Sequence, residues 1–432
     1  MEAGTPRLRN PLDPRNPLAG VYVATMMFEL AEGALRFLVP LNLDARGLSP
    51  AAIGIVFFVF SFTSLLSRGV AGALFRPDRA RRLIVGAGLA STFAYLITPF
   101  VTDVSVFAIL MAFDGFGWGI ATTCLLAMVM LCTPTSISPA VAMGWFIGFQ
   151  GIAFAIATTV GGILGQVVGI QTAMLMLATL PVVAAIVIAF RLPPVVRATD
   201  VPAIASGVLP SGSVGRRGAL VASIRRLGVL PYAVWAAALV AVYLNVMNGL
   251  LASFFPLLGL AIGLSVVQIG TLSSVRSGIS SVARFGAGWL FARVPASRMH
   301  LPLLTTSAVT LALLPSAGSY IVCLPLFALN GVSRGLLRVT TSAAAMEETP
   351  GHRTGVAAAV MTSGLDIGKM VGPLIGGLVA SAIGLEAMFR TVPLAFLILF
   401  GALVLVGNRR GAGRRTAVAD LAATGDPGSG RR

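Results

Sequence analysis

Charge is scarce in this chain: 11% of its 432 residues are Asp, Glu, Lys or Arg, lysine occurs once, histidine twice and cysteine three times. Each scarcity removes a class of chemistry. Cys124, Cys132 and Cys323 lack the close spacing of a metal site, and His300 and His352 stand apart from them, so no metal is expected. The single lysine, Lys369, follows Gly368, but Met370 comes next inside an apolar run, where a phosphate-cradling loop would have Ser or Thr. No machinery for nucleotide hydrolysis is recognisable, and no cofactor is called for.

Hydrocarbon stands in place of charge. Apolar residues make up 56% of the chain, and the mean hydropathy is +0.92, far from the balance of a soluble domain. A helix crosses a bilayer with about 20 apolar residues. Runs of that kind recur near 19–41, 51–75, 82–101, 104–130, 140–167 and 171–191, and again near 230–258, 266–291, 300–316, 319–343, 354–383 and 386–407. The reading is an all-α integral membrane protein with twelve transmembrane helices.

An offset of half the chain aligns the sequence with itself. From Gly33 to Phe75 against Gly249 to Phe291, 18 of 43 positions are identical, including Pro40-Leu41 with Pro256-Leu257 and Gly47-Leu48-Ser49 with Gly263-Leu264-Ser265. The same offset pairs Gly115 and Gly119 with Gly331 and Gly335. An ancestral unit has been duplicated. Six spans per copy return the chain to its starting side, so the copies form two pseudo-symmetric six-helix bundles related by an axis along the membrane normal.

Arginine sets the orientation. Arg7, Arg9 and Arg15 precede the first span, Arg76, Arg79, Arg81 and Arg82 follow the second, and further arginines fill the middle gap and the tail, against Arg46 and Arg390 in the alternate loops. By the positive-inside rule both termini are cytoplasmic, as in a bacterial-type inner membrane protein. The net charge of +16 is therefore topological. Its arginines are scattered over short loops without aromatic interleaving, and nucleic acid is not an expected partner. The chain divides into a cytoplasmic segment 1–18, a bundle 19–191, a linker 192–229, a second bundle 230–408 and a basic tail 409–432. The linker ends in a stretch from Arg216 to Leu227 that reads either as a helix lying on the anionic leaflet or as solvated chain.

Twelve helices in two parallel repeats, with Gly72, Leu74 and Arg81-Arg82 after the second span, resemble the major facilitator superfamily. That family's loop signature there is Gly-x-Leu-Ala-Asp-Arg-x-Gly-Arg-Arg. Here Arg76 stands at the acid's place and Asp78 follows two residues late; the second copy keeps Gly288, Leu290 and Arg293 but has Ala292. The resemblance implies secondary transport by alternating access and a cytoplasmic gate, for which Arg68, Gly72, Asp78, Arg284 and Gly288 are the candidates. A second signature, associated with exporters of that family, is Gly368, Gly372, Pro373, Gly376 and Gly377, displaced here from the fifth span to the eleventh. These glycines read as close helix packing, and Pro373 as a hinge.

Charges inside the spans cost several kcal/mol or so and mark function by default. Glu29, Glu32 and Arg36 share one helical face, and their repeat mates include Asn245 and Asn248. Asp114 pairs by repeat with Asn330, and Gln150 with Asp366. Arg276, whose mate is Phe60, is the leading substrate contact, either forking onto a carboxylate or phosphate or paired with Glu29, Glu32 or Asp114. Arg334 shares a face with Asn330. Lys369 stands three residues after Asp366, either as an ion pair or as one of several partners, with Arg334 and a proton, between which Asp366 exchanges. Glu29, Glu32 and Asp114 are the further proton-coupling candidates, because a desolvated carboxyl takes up a proton and one beside an arginine gives it up. Asn245, Asn248, Asn330, Arg334 and Gln150 join Arg276 as substrate-binding candidates.

The expected function is proton-coupled movement of a small organic solute, anionic or zwitterionic, through a single chain that already holds both halves of a pathway. The alternative is proton-driven efflux of cationic or amphiphilic drugs, with the acids as recognition charges. A transporter-like sensor or scaffold is a third class, for which a long soluble domain is lacking.

Overall fold

The computed structural model describes residues 12, 16, 18–133, 138–191, 232–291, 293–294, 296–347 and 354–402. The expected linker, its terminal basic stretch and the tail lie outside them. The first bundle comprises α1 (Ala19–Asp44), α2 (Pro50–Leu74), α3 (Pro77–Ile97), α4 (Val104–Cys132), α5 (Pro139–Val167) and α6, in two pieces, Ile170–Leu177 and Thr179–Arg191. The second comprises α7 (Tyr232–Ala261), α8 (Val266–Phe291), α9 (Ala296–Leu313), α10 (Tyr320–Glu347), α11 (Thr354–Ile383) and α12 (Leu385–Ala402). Twelve helices and no strands are present among the described residues.

Sequence chemistry explains the ends. After α1, Gly47 takes a φ of 76° and Leu48 N–H reaches back to Leu43 O; after α7, Gly263 takes 85° and Leu264 N–H reaches Gly259 O. A left-handed residue in this position closes a helix only cheaply when it lacks a Cβ, so the repeated Gly-Leu-Ser makes the same turn twice. Ser49 then caps α2 by accepting from Ala52 N–H. Asp103 caps α4, and the backbone N–H groups of Val106 and Ser105 hold its carboxyl below the usual carboxylate range. Pro181 has no N–H to offer Leu177 O, and α6 breaks at Ala178 between them. α3 starts at Pro77, five residues before the apolar run, so Arg79, Arg81 and Arg82 lie on its first turns.

Ten helices among the described residues are long and apolar enough to cross a membrane. The two long helices that fall short are α1, with Glu29, Glu32 and Arg36, and α8, with Arg276 among serines. α1 is buried along most of its length, which removes the need for an apolar surface, whereas α8 is polar on the cleft side around Arg276 and exposes the apolar Val282, Phe285 and Trp289 further along.

Packing obeys the duplication. α1 lies on α5 and α7 on α11; α2 lies on α4 and α8 on α10; across the halves, α5 meets α8 and α2 meets α11. A Cβ built at Gly115 or Gly119 would strike Phe60 O or Ser64 O, and at Gly331 or Gly335 it would strike Arg276 O or Ser280 O. Those acceptors are repeat mates, so small residues bring the same backbones together in each bundle. The cross-half seams close at the end away from the arginine-rich loops. There Gly54 abuts Pro373 and Gly377, Gly270 abuts Thr158, Ala51 N–H donates to Ser381 Oγ at 2.9 Å, and Ser274 Oγ lies 2.8 Å from Thr158 Oγ1 and 2.7 Å from Thr159 Oγ1. Towards the arginine-rich end, no atom of the described residues outside the helix's own backbone stands within 4 Å of a Cβ built at Gly144 or Gly148 of α5, or at Gly278 or Gly286 of α8.

Candidate functional site

Between the bundles lies a solvent-open cleft, whose space, counted together with the solvent at its mouth, is about 730 Å³. Its wall carries three cations, Arg36 of α1, Arg276 of α8 and Lys369 of α11, with Asn248, the hydroxyls of Thr158, Ser253, Ser273 and Ser277, and the apolar Phe37, Phe154 and Phe327. No carboxylate is among these lining residues.

Arg276 is only 6% exposed and is held by two amide oxygens, Asn330 Oδ1 at 2.7 Å from its Nε and Asn248 Oδ1 at 3.3 Å from its Nη1. Asn330 is fixed in turn, its Nδ2 lying 3.3 Å from Ser307 Oγ and 3.2 Å from Thr310 Oγ1, and Ser307 Oγ accepts from Tyr243 at 3.0 Å. The guanidinium thus has a built support and no acid partner among the described residues, where Glu29, Glu32 or Asp114 was one expectation. The acids lie in the other bundle. Its fork meets amide oxygens instead, leaving its charge unneutralised.

In the first bundle Glu32 pairs with Arg36, Oε1 to Nε at 3.4 Å, and Gln150 donates to Glu29 Oε1 at 2.9 Å. Arg36 Cζ lies 4.7 Å from the centre of the Phe60 ring and Lys369 Nζ 5.8 Å from it, so one aromatic ring serves two cations from different bundles. Tyr95 bridges Glu32 and Asp114. It escaped the sequence reading because it sits in an apolar run; the signal available was that a buried phenol needs a hydrogen-bond partner.

Other candidates are placed elsewhere. Asp366 pairs with Arg68 of α2 at 3.3 Å, and Lys369 and Arg334 are not its partners. The lysine's long stem carries its charge into the cleft, while the short aspartate reaches only the fork presented across the bundle interface. Arg334 Nη1 approaches Ser280 Oγ at 3.5 Å, and Arg284 Nε donates to Ser280 O of its own helix. Gln150 and Asn245, whose Nδ2 donates to Leu365 O at 2.6 Å, fasten helices within their bundles and do not line the cleft. Asp78 is exposed in the first turn of α3, Gly72 has no neighbour among the described residues within 4 Å of a built Cβ, and Gly288 lies near the end of α8. Gly368 and Gly372 press on Val242 and Val246 of α7, Gly376 on Leu250, and Gly377 on Pro50 of α2. Pro373 lies against Gly249 of α7 and offers its carbonyl to the face of Gly54, so α11 touches both halves at one residue.

The sequence profile of the Major Facilitator Superfamily matches residues 21–373 and 249–425. No curated protein sequence matches the chain. Among solved structures it is similar to a bacterial homologue of the human lysosomal transporter Spinster, inward-facing and unoccupied, at 13% identity and a TM-score of 0.73, over 92% of this chain and 97% of that one. It is also similar to the nucleoside transporter NupG, at 12% identity and a TM-score of 0.71, over 91% of this chain and 98% of that one. At such identities the structures speak to the fold, which they share with the two-bundle arrangement described above. With a family profile running through both bundles, the chain belongs to the Major Facilitator Superfamily.

Proposed function

We propose that the protein is a secondary active transporter that moves a small organic anion, or a zwitterion held by its acid group, by alternating access coupled to protons. The observation that carries this reading is the cleft wall, with three cations and no carboxylate. Like charges gathered on one cavity are relieved by an anion between them, and the fork of Arg276 suits a carboxylate or phosphate. The positive-inside pattern turns the open mouth towards the cytoplasm. Rocking of the bundles about the cleft would close the α5–α8 and α2–α11 seams at the arginine-rich end and part them at the other. Arg36 links solute to proton: it borders the cleft and also pairs with Glu32, so an anion that draws the guanidinium away leaves a buried carboxylate to be neutralised. Efflux of cationic drugs finds less support, since Glu29, Glu32, Asp114 and Asp366 are all turned to partners within the protein.

The test is thermal unfolding of the detergent-purified protein against a charge-sorted panel of organic acids, cations and neutral solutes. A binder present at a hundred times its Kd stabilises by about 2.7 kcal/mol. Stabilisation confined to acids and abolished in Arg276→Ala is expected. Stabilisation by cations that survives in Arg276→Ala overturns the reading.

A further inference from the structure

Tyr95 of α3 is sealed in the first bundle, with its hydroxyl oxygen 2.6 Å from Asp114 Oδ2 of α4 and 3.0 Å from Glu32 Oε2 of α1. Both carboxyl groups are buried, Asp114 to 1% exposure and Glu32 to 3%. A phenol carries one proton and donates one hydrogen bond, while an ionised carboxylate donates none. If both acids were ionised, one of the two contacts would set a carboxylate charge against the phenol's lone pairs with no hydrogen between them. Away from water that arrangement is strongly unfavourable. The second contact therefore needs its hydrogen from a carboxylic acid, and two carboxyls sharing a site take up a proton for the same reason.

The surroundings decide which acid is neutral. Glu32 Oε1 faces Arg36 Nε at 3.4 Å, and Lys369 of α11 adds a second cation on that side. Glu29, on the same helix, is engaged by the Gln150 amide of α5. Around Asp114 the α2 surface under Gly115 presents Phe60 and Thr63, which carry no charge, and α3 presents Tyr95 and Ser91. None of the described ion pairs includes Asp114. Arg36 acts on both acids, but it is within ion-pair distance of Glu32 and not of Asp114, and Lys369 bears on Glu32 and not on Asp114, so the cations favour a charge at the Glu32 end of the chain of contacts.

We infer that Asp114 holds a resident proton in this conformation, donated to Tyr95 Oη, while Tyr95 donates to an ionised Glu32 that faces Arg36. The assignment rests on the proton-coupled reading above and deepens it by dividing the labour. Asp114 is the stationary acid that lets Tyr95 support Glu32, and Glu32 is the carboxylate whose charge answers to Arg36 and the cleft. Glu32 is thus the group that takes a proton from solution when Arg36 turns to an anion, forming one O–H bond at Glu32 and leaving the Asp114 O–H bond intact.

Infrared spectroscopy of the purified protein in bilayers at neutral pH tests this without any solute. A buried carboxylic acid gives a C=O stretching band separate from that of carboxylates. The expected result is a band that is lost in Asp114→Asn, kept in Glu32→Gln and Glu29→Gln, and moved to higher frequency in Tyr95→Phe, where the acid loses its acceptor. Absence of the band from the native chain, its persistence in Asp114→Asn, or its loss in Glu32→Gln overturns the assignment. Should Asp114→Asn fail to fold, the Glu32→Gln and Tyr95→Phe arms decide by themselves. Because no transported solute enters the experiment, failure here leaves the transport reading standing, and failure of the solute panel leaves this assignment standing.

Discussion

The repeat mates Asp114 and Asn330 differ by one atom type and give the two bundles opposite characters. Asp114 sits at the end of an acid chain through Tyr95; Asn330 turns its oxygen to Arg276 and its amide to Ser307 and Thr310. Asn330→Asp would place a carboxylate against the buried guanidinium and satisfy from inside the charge that the cleft otherwise offers to a solute. A charge-assisted contact of this kind contributes on the order of 1.5–3 kcal/mol. The apparent affinity for a stabilising acid is therefore expected to fall about ten- to a hundredfold, with the unliganded protein at least as stable as the parent; thermal unfolding with and without the acid reads both. An unchanged response to the acid would mean that Arg276 does not meet it. At this scale the sequence was legible for which residues matter, because charge is rare enough in the spans to stand out. It was silent on pairing. A shared face on α11 places Asp366 near Lys369, but only the neighbouring helix decides that Arg68 arrives first.

Helices were legible to within a few residues wherever apolarity sets their ends. The start of α3 was not, since arginine is a good helix former and a hydropathy run cannot see a polar first turn. The break in α6 was open to inspection in Pro181 alone. What sequence periodicity could not convey was the contact between repeats: Gly270 belongs to a conserved-looking Ile-Gly pair of the duplication, yet its use is to admit Thr158 O of the other bundle. Gly270→Val puts side-chain atoms into that approach. Overpacking costs about 1–3 kcal/mol, and here the strain falls on the seam that shuts the far end. The equilibrium between the two facing states is expected to move about five- to a hundredfold towards far-side opening. A Ser273→Cys probe on the cleft wall, labelled by an impermeant thiol reagent from the far side, should react correspondingly faster; no change in labelling would show that this seam is not the barrier.

For the whole molecule, the duplication foretold two bundles and the comparison with known proteins agrees with it, while the unequal distribution of charge between them came from individual residues. Arg68 and Asp366 join the bundles on the open side, both partly exposed, at 39% and 31%. Such a pair contributes about 0.2–1 kcal/mol. A cycle of Arg68→Ala, Asp366→Ala and the double variant is expected to show a coupling within that range in thermal unfolding, and a shift of at most about fivefold in the Ser273→Cys labelling rate. A coupling well above that would mean the pair is shut away from water and acts as a lock.

Both closed seams bring glycine against backbone, Gly270 on Thr158 O along α5 and α8 and Gly54 on Pro373 O along α2 and α11, but they differ in what lies beside it. The first adds a cluster of hydroxyls, Thr158, Thr159 and Ser274, where the second adds a single serine, Ser381. Water can replace each hydroxyl partner in turn as the first seam parts, but it gains little from entering the second until the backbones are a molecule's width apart. On the alternating-access reading, opening at the far end is then expected to be an unzipping that wets one flank first, with the dry flank following as the hinge line.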